Sequence, residues 1–234
     1  MALPKLDIPI YTMNLLSENR EIRYRPFLVK EEKILFMAME GEDPNEISLA
    51  MKQVVNNCVQ DEIDIDDMPL FDIEYILLNI RSKSVSDKSS VLYPCGNCEH
   101  QIPITIDLTA VEISNPPRET KDIMLTDTIG ITLNYPKMDM TKAVQETDSE
   151  IEGIWKIIES CTERVFDETE VYDMKSASEE DRRDFFDSLT QSQFRQIQDF
   201  FEALPKLQYI NTYTCPECGH NGDLHIEGMA NFFG

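Results

Sequence analysis

An α+β fold is what the 234-residue sequence predicts, on the strength of two contrasting halves and a recurring cysteine turn. The first 85 residues carry apolar side chains mainly at helical spacing. Beyond them, period-two alternation dominates, and each of two C-x-x-C turns falls between two alternating runs. The expected organisation is a β-hairpin plus three-helix unit over 1–85, then an α+β region over 86–234 clasped at 95–98 and 215–218, with helices inserted between the clasps.

Each element follows from local chemistry. IPIYTMNLLSENREIRYRPF places two short apolar-polar runs around the polar turn Ser17–Arg20, with Pro26 closing the second, and predicts a hairpin. In KEEKILFMAME, Ile34, Leu35, Met37 and Ala38 stand at near-helical spacing and Gly41 stops the segment. Asp43-Pro44 opens a second helix whose stripe is Ile47, Ala50, Met51, Val54, Val55 and Cys58. After the acidic loop QDEIDIDDMP, Ile73, Ile76, Leu77 and Ile80 repeat the pattern. SKSVSDKSS then marks the change of texture. Val91 and Tyr93 lead into Cys95, and Ile102, Ile104, Ile106 and Leu108 alternate beyond Cys98. Ile129, Ile131, Leu133 and Tyr135 predict another strand, and Ile151, Ile154, Trp155, Ile158 and Val165 a helical face. Ser178 is an N-cap followed by acidic residues. Thr190 with Gln193 has capping-box form, ahead of a face made by Phe194, Ile197, Phe201 and Leu204 and ended by Pro205. LQYINTYT runs as a strand into CPECGH, with DLHIEG as its return. No repeat of solenoid length is visible.

A formal charge of −23 argues against a sequence-independent nucleic-acid binder, which needs a basic face. The start has no basic n-region before an apolar core, and no apolar run approaches the roughly 20 residues of a membrane span. The expectation is an intracellular protein with reduced thiols, for which metal binding is the leading use of clustered cysteines.

Cys95, Cys98, Cys215 and Cys218 therefore predict two knuckles sharing one tetrahedral zinc ion, one per chain, in a closed and structural all-thiolate site. Pro216 and Gly219 give the second pair a frequent zinc-ribbon form. The 116 residues from 99 to 214 exceed a compact ribbon, so the reading requires an insertion whose ends return to one place. A redox pair at CGNC and unrelated core thiols are the alternatives; a redox pair should open a helix, whereas Cys98 leads into a strand. Cys58, Cys161 and Trp155 read as core, and His100 and His220 as exposed loop residues, with hydrogen bonding to a metal-bound cysteine or service as a substitute ligand as the alternatives. His225 forms no triad, the acidic runs lack calcium-loop spacing, and no catalytic motif occurs, so no enzyme is expected.

In order, RYRPFLVKEEKILFMAME, FDIEYILLNIRSKSV, the first cysteine pair, LTDTIGITLNYP, the late Phe-rich helix, CPECGH and a terminal Phe-Phe resemble the T4-type bacteriophage baseplate hub assembly protein family over nearly the whole chain. RPFLVKEEK and FDIEYILLNIRSKSV are the most specific parts. The resemblance implies a tail morphogenesis protein, a hub component or chaperone-like assembly factor working in the host cytoplasm or in the virion baseplate. It implies other hub or tail proteins as partners and no catalytic residues. The alternative is a zinc-ribbon regulatory or transcription-associated module, which should carry Lys and Arg near its knuckles; EHQIPITID and GHNGDLHIEG are acidic or neutral.

Overall fold

A computed structural model of the chain describes residues 6–41, 43–118, 120–140 and 149–232. It is a mixed α+β structure that divides into two compact units, Met1–Ser114 with Pro205–Gly234, and Asn115–Leu204. The second is an insertion in the first, and position 85 falls inside the first unit rather than between the two.

The first unit opens with the predicted hairpin, β1 (Tyr11–Asn14) against β2 (Glu21–Tyr24), followed by α1 (Val29–Glu40), α2 (Pro44–Cys58) and α3 (Leu70–Ser84). Asp43 caps α2 by accepting from the Asn45 amide at 2.8 Å. Ala50, Val54, Val55 and Cys58 form its buried stripe, and Ile73, Ile76, Leu77 and Ile80 are buried on α3 as expected. In α1 the outcome differs: Met37 is 72 % exposed, and the fully buried side chain is Glu31.

That carboxylate has a partner for each oxygen. Arg25 reaches one at 2.9 Å, and the Leu28 amide donates to the other at 2.9 Å. Burial alone would raise the Glu31 carboxyl, but Arg25, the Leu28 amide and Lys30 outweigh it and hold the group below its ordinary value. Arg25 also donates to the Asn57 carbonyl at 2.7 Å, so the charged pair joins β2, α1 and the end of α2. On the other side of the hairpin, buried Asp72 in the first turn of α3 accepts from the Leu16 amide at 2.7 Å and from the Ser17 amide and hydroxyl. Desolvation still leaves its carboxyl raised. The acidic loop is also engaged: Asp61 pairs with Arg23 at 2.7 Å and Asp66 with Lys52 at 2.6 Å.

Two further hairpins complete this unit: β3 (Lys88–Pro94) with β4 (Gln101–Asp107), and β10 (Leu207–Thr214) with β11 (Asn221–Glu227). A short strand, β5 (Glu112–Ile113), pairs with the start of β10, so the chain leaves for the second unit beside the point where it returns. Val91, Ile106, Leu207, Tyr209, Leu224 and Ile226 share one core with Leu78 of α3. Phe232 is completely buried in that core; Phe233 lies outside the described residues.

The second unit contains the sheet β6 (Asp122–Met124), β7 (Gly130–Leu133), β8 (Thr162–Phe166) and β9 (Val171–Asp173), antiparallel in that order. Its helices are α4 (Glu150–Cys161), α5 (Glu179–Asp187) and α6 (Gln191–Glu202). Ser178 and Thr190 cap α5 and α6, the latter with the predicted box. Val165, read as part of a helical face, is a β8 residue, because α4 ends at Cys161 and the chain turns directly into the sheet. On α6 the buried ring is Phe200, stacked on Tyr135 at 5.8 Å, whereas Phe201 is only partly covered. Trp155 is partly buried and stacks on Phe194 at 4.7 Å. Among the described residues no helix is long and apolar enough to cross a membrane.

Candidate metal centre

Each C-x-x-C turn caps a hairpin, and the two turns have the same backbone construction. In the first, the Cys95 amide donates to the His100 carbonyl at 2.9 Å and the Glu99 amide to the Cys95 carbonyl at 2.9 Å. In the second, the Cys215 amide donates to His220 at 2.8 Å and the Gly219 amide to Cys215 at 3.0 Å. Closing the turn this way needs a left-handed residue after the second cysteine: φ is +59° at Glu99 and +69° at Gly219.

The two hairpins bring their tips together. Cys95 and Cys215 are buried, and Cys98 and Cys218 are exposed. The sulfurs cross-pair at 3.8 Å (Cys95 to Cys218) and 3.7 Å (Cys98 to Cys215), and all four lie within 4.8 Å of one another. Four sulfurs at about 2.3 Å from one tetrahedral ion would be about 3.8 Å apart, so this set could hold a metal ion with little movement. His100 and His220 are exposed and stand outside the four-sulfur group. The pairs sit in hairpin turns, not at the start of a helix where a redox pair gains its reactivity.

The local electrostatics favour thiolates at two corners. The Asn97 amide, aimed at the Cys95 sulfur, is the main reason that thiol is held down to about 6, against desolvation. Cys218 is lowered chiefly by the His220 amide. Cys98 also has an amide, from His100, yet its neighbouring thiols and desolvation push it up to about 12. Four adjacent sulfurs resist carrying four negative charges, and a bound cation removes that resistance. Cys58 and Cys161 are of another kind: both are fully buried, and desolvation raises them to about 11 and about 12.

A residue the sequence reading passed over braces the two tips. The Gly96 amide donates to the Tyr213 hydroxyl at 2.9 Å, and the Tyr213 ring meets Tyr93 edge-on at 5.5 Å. Gly222, opposite Tyr213 in the ladder, leaves room for that ring; a β-carbon there would fall 2.8 Å from the hydroxyl. The signal was present as a short repeat, Tyr-x-Cys-x-x-Cys-x-His, at Tyr93–His100 and Tyr213–His220.

A family model described as T4 bacteriophage base plate protein matches residues 8–234. No curated protein and no solved structure gives a significant match.

Proposed function

The chain belongs to the T4 bacteriophage base plate protein family, and on that premise we propose that it helps to build the central hub of the baseplate. It acts as a hub component or assembly factor by binding other hub and tail proteins, in the host cytoplasm during assembly and at the virion baseplate. The observation that carries this reading is the family match over almost the whole chain, which includes both knuckles. The work is binding and not catalysis, because the four-sulfur site closes around its ion and leaves no position for a substrate or activated water.

The ion is zinc, one per chain, held by Cys95, Cys98, Cys215 and Cys218. An all-thiolate set with tetrahedral spacing suits that metal. Its role is structural: it fixes the tips of β3–β4 and β10–β11 to each other across the inserted second unit. Metal analysis of the purified chain should return about one zinc per chain.

The hub assignment is tested by co-expression with the other hub and tail proteins of the same phage, followed by affinity capture. A stoichiometric complex with at least one of them is expected. Failure to retain any across a range of salt concentrations would remove the basis for the assignment.

A further inference from the structure

We propose that the groove between β9 and α5 docks an extended segment of another protein, with apolar side chains flanked by Lys or Arg. The inference rests on the protein-binding role above and names a surface for it. The groove has a volume of about 650 Å³, and its apolar lining includes Ile129, Val165, Phe166, Val171, Tyr172 and Phe185. All of its lining belongs to the second unit, whereas the four cysteines belong to the first.

One wall is a sheet edge on which, among the described residues, no further strand pairs. β9 is the outer strand of its sheet, and the bonds from Asp167 to Glu170 and from Met174 to Glu163, both 3.0 Å, set the hydrogen-bonding alternation. With Val165 opposite Tyr172, that alternation turns the Tyr172 backbone toward β8 and the backbones of Val171 and Asp173 toward the outside. The Asp173 carbonyl already accepts from the Ser176 amide and hydroxyl, both at 3.1 Å, so the pairing groups are the Val171 amide and carbonyl and the Asp173 amide. Val171 is 64 % exposed and Tyr172 47 %, so the edge offers pairing groups with apolar side chains beside them. An extended segment added to such an edge gains main-chain hydrogen bonds while its alternate side chains fill the adjoining groove.

Charge selects the occupant. Asp167, Asp173 and Asp181 line the groove, and its one cation among the described lining residues is Arg182. That guanidinium is already engaged, with Nε 2.5 Å from Glu159 and Nη1 donating to the Ala177 carbonyl at 2.8 Å. The Asp167 carboxyl, with the Thr169 and Glu170 amides donating to it, is held down to about 2 and stays ionised. A second copy of a chain with net charge −23 is repelled by this field, as is any acidic segment; a basic one is attracted.

The full-length chain is to be probed with an array of overlapping 15-residue segments of the other tail proteins of the phage, and the bound segments re-measured as free labelled peptides. Bound segments are expected to combine alternating apolar residues with Lys or Arg. Val171→Ser, a neutral change at an exposed position, should weaken them about tenfold or more. The triple change Asp167→Asn, Asp173→Asn and Asp181→Asn keeps the side-chain oxygens that hold the local turns, and should weaken binding at low salt and flatten its salt dependence. Equal binding by the Val171 variant, or a bound set without basic residues, overturns the proposal. If no segment binds while the chain still captures a hub protein, the groove is not the surface and the hub reading stands. If segments bind as expected but no hub protein is captured, the groove is upheld and the hub reading falls.

Discussion

The N-terminal hairpin and the paired knuckles are fastened to the first unit by opposite means. Two buried carboxylates hold the hairpin: Glu31, paired with Arg25, and Asp72, which takes the amides of its turn. Four sulfurs gather the knuckle tips. The carboxylate fastening is complete within the chain, since both carboxyls find their hydrogen-bond partners in its own backbone and side chains. The sulfur fastening, on the proposed metal reading, is conditional, because four thiolates could share one site only with a cation to offset them. The two fastenings differ in part in their answers to pH: metal ligation strengthens as thiols deprotonate, and Glu31, held below its ordinary value, likewise favours the fold once ionised, whereas Asp72, raised by burial, favours it while protonated.

Four measurements would break or sharpen this contrast. The largest effect is expected from the sulfurs. Chelation, or Cys215→Ser, should cost about 5 kcal/mol or more, since the binding energy of a structural metal is folding energy. Cys95 and Cys98 should then become alkylatable together; persistent protection of Cys95 with zinc still bound would separate the two knuckles. Next is Arg25→Ala, which leaves buried Glu31 with Lys30 at 3.2 Å and the Leu28 amide but without its closest cation, and should cost about 2–3 kcal/mol in urea unfolding. The double change with Glu31→Gln should recover much of the loss, and additive losses would mean the pair is not the fastening.

A third test uses Glu74, on α3 beside Asp72. Desolvation raises its carboxyl from 4.5 to about 7, so the folded state holds the proton more tightly than the unfolded one. Its contribution to stability should therefore be fully present below pH 4.5 and be lost as pH rises through about 7, read as the difference between the wild type and a variant without the carboxyl. Glu74→Gln should remove that fall and gain roughly 2 kcal/mol at pH 8, with little effect at pH 4. A variant that tracks the wild type at both pH values would dismiss the burial penalty. The smallest effect compares the knuckles with each other. Glu99 occupies the left-handed position that Gly219 fills in the second turn, so Glu99→Gly should stabilise by about 0.5–1 kcal/mol despite the looser unfolded chain, and Gly219→Ala should cost about 1 kcal/mol. Thermal melts of the metal-loaded protein measure both, and a destabilising Glu99→Gly would show that its side chain contributes more than its backbone strains.

The sequence by itself determined the local elements and the candidate ligands. Period-two alternation located β3, β4 and β10; helical spacing with Asp43, Ser178 and Thr190 caps located α2, α5 and α6; and two C-x-x-C turns named the four cysteines, because each of these signals is complete within a few residues. Tertiary structure alone decided what depends on distant partners. Nothing local marks Asp72 for burial, yet it is fully buried, since the Leu16 and Ser17 amides, 56 and 55 positions away, converge on it. The short strands β6, β8 and β9 exist by pairing and not by pattern, which is why Val165 read as helical. The meeting of residues near 95 with residues near 215 was inferred from chemistry, but the crossed sulfur pairs and the Tyr213 brace required two hairpins to pack face to face. A side chain's partners across 117 or more positions are set by how the whole unit buries its apolar faces, and no window of sequence contains that sum.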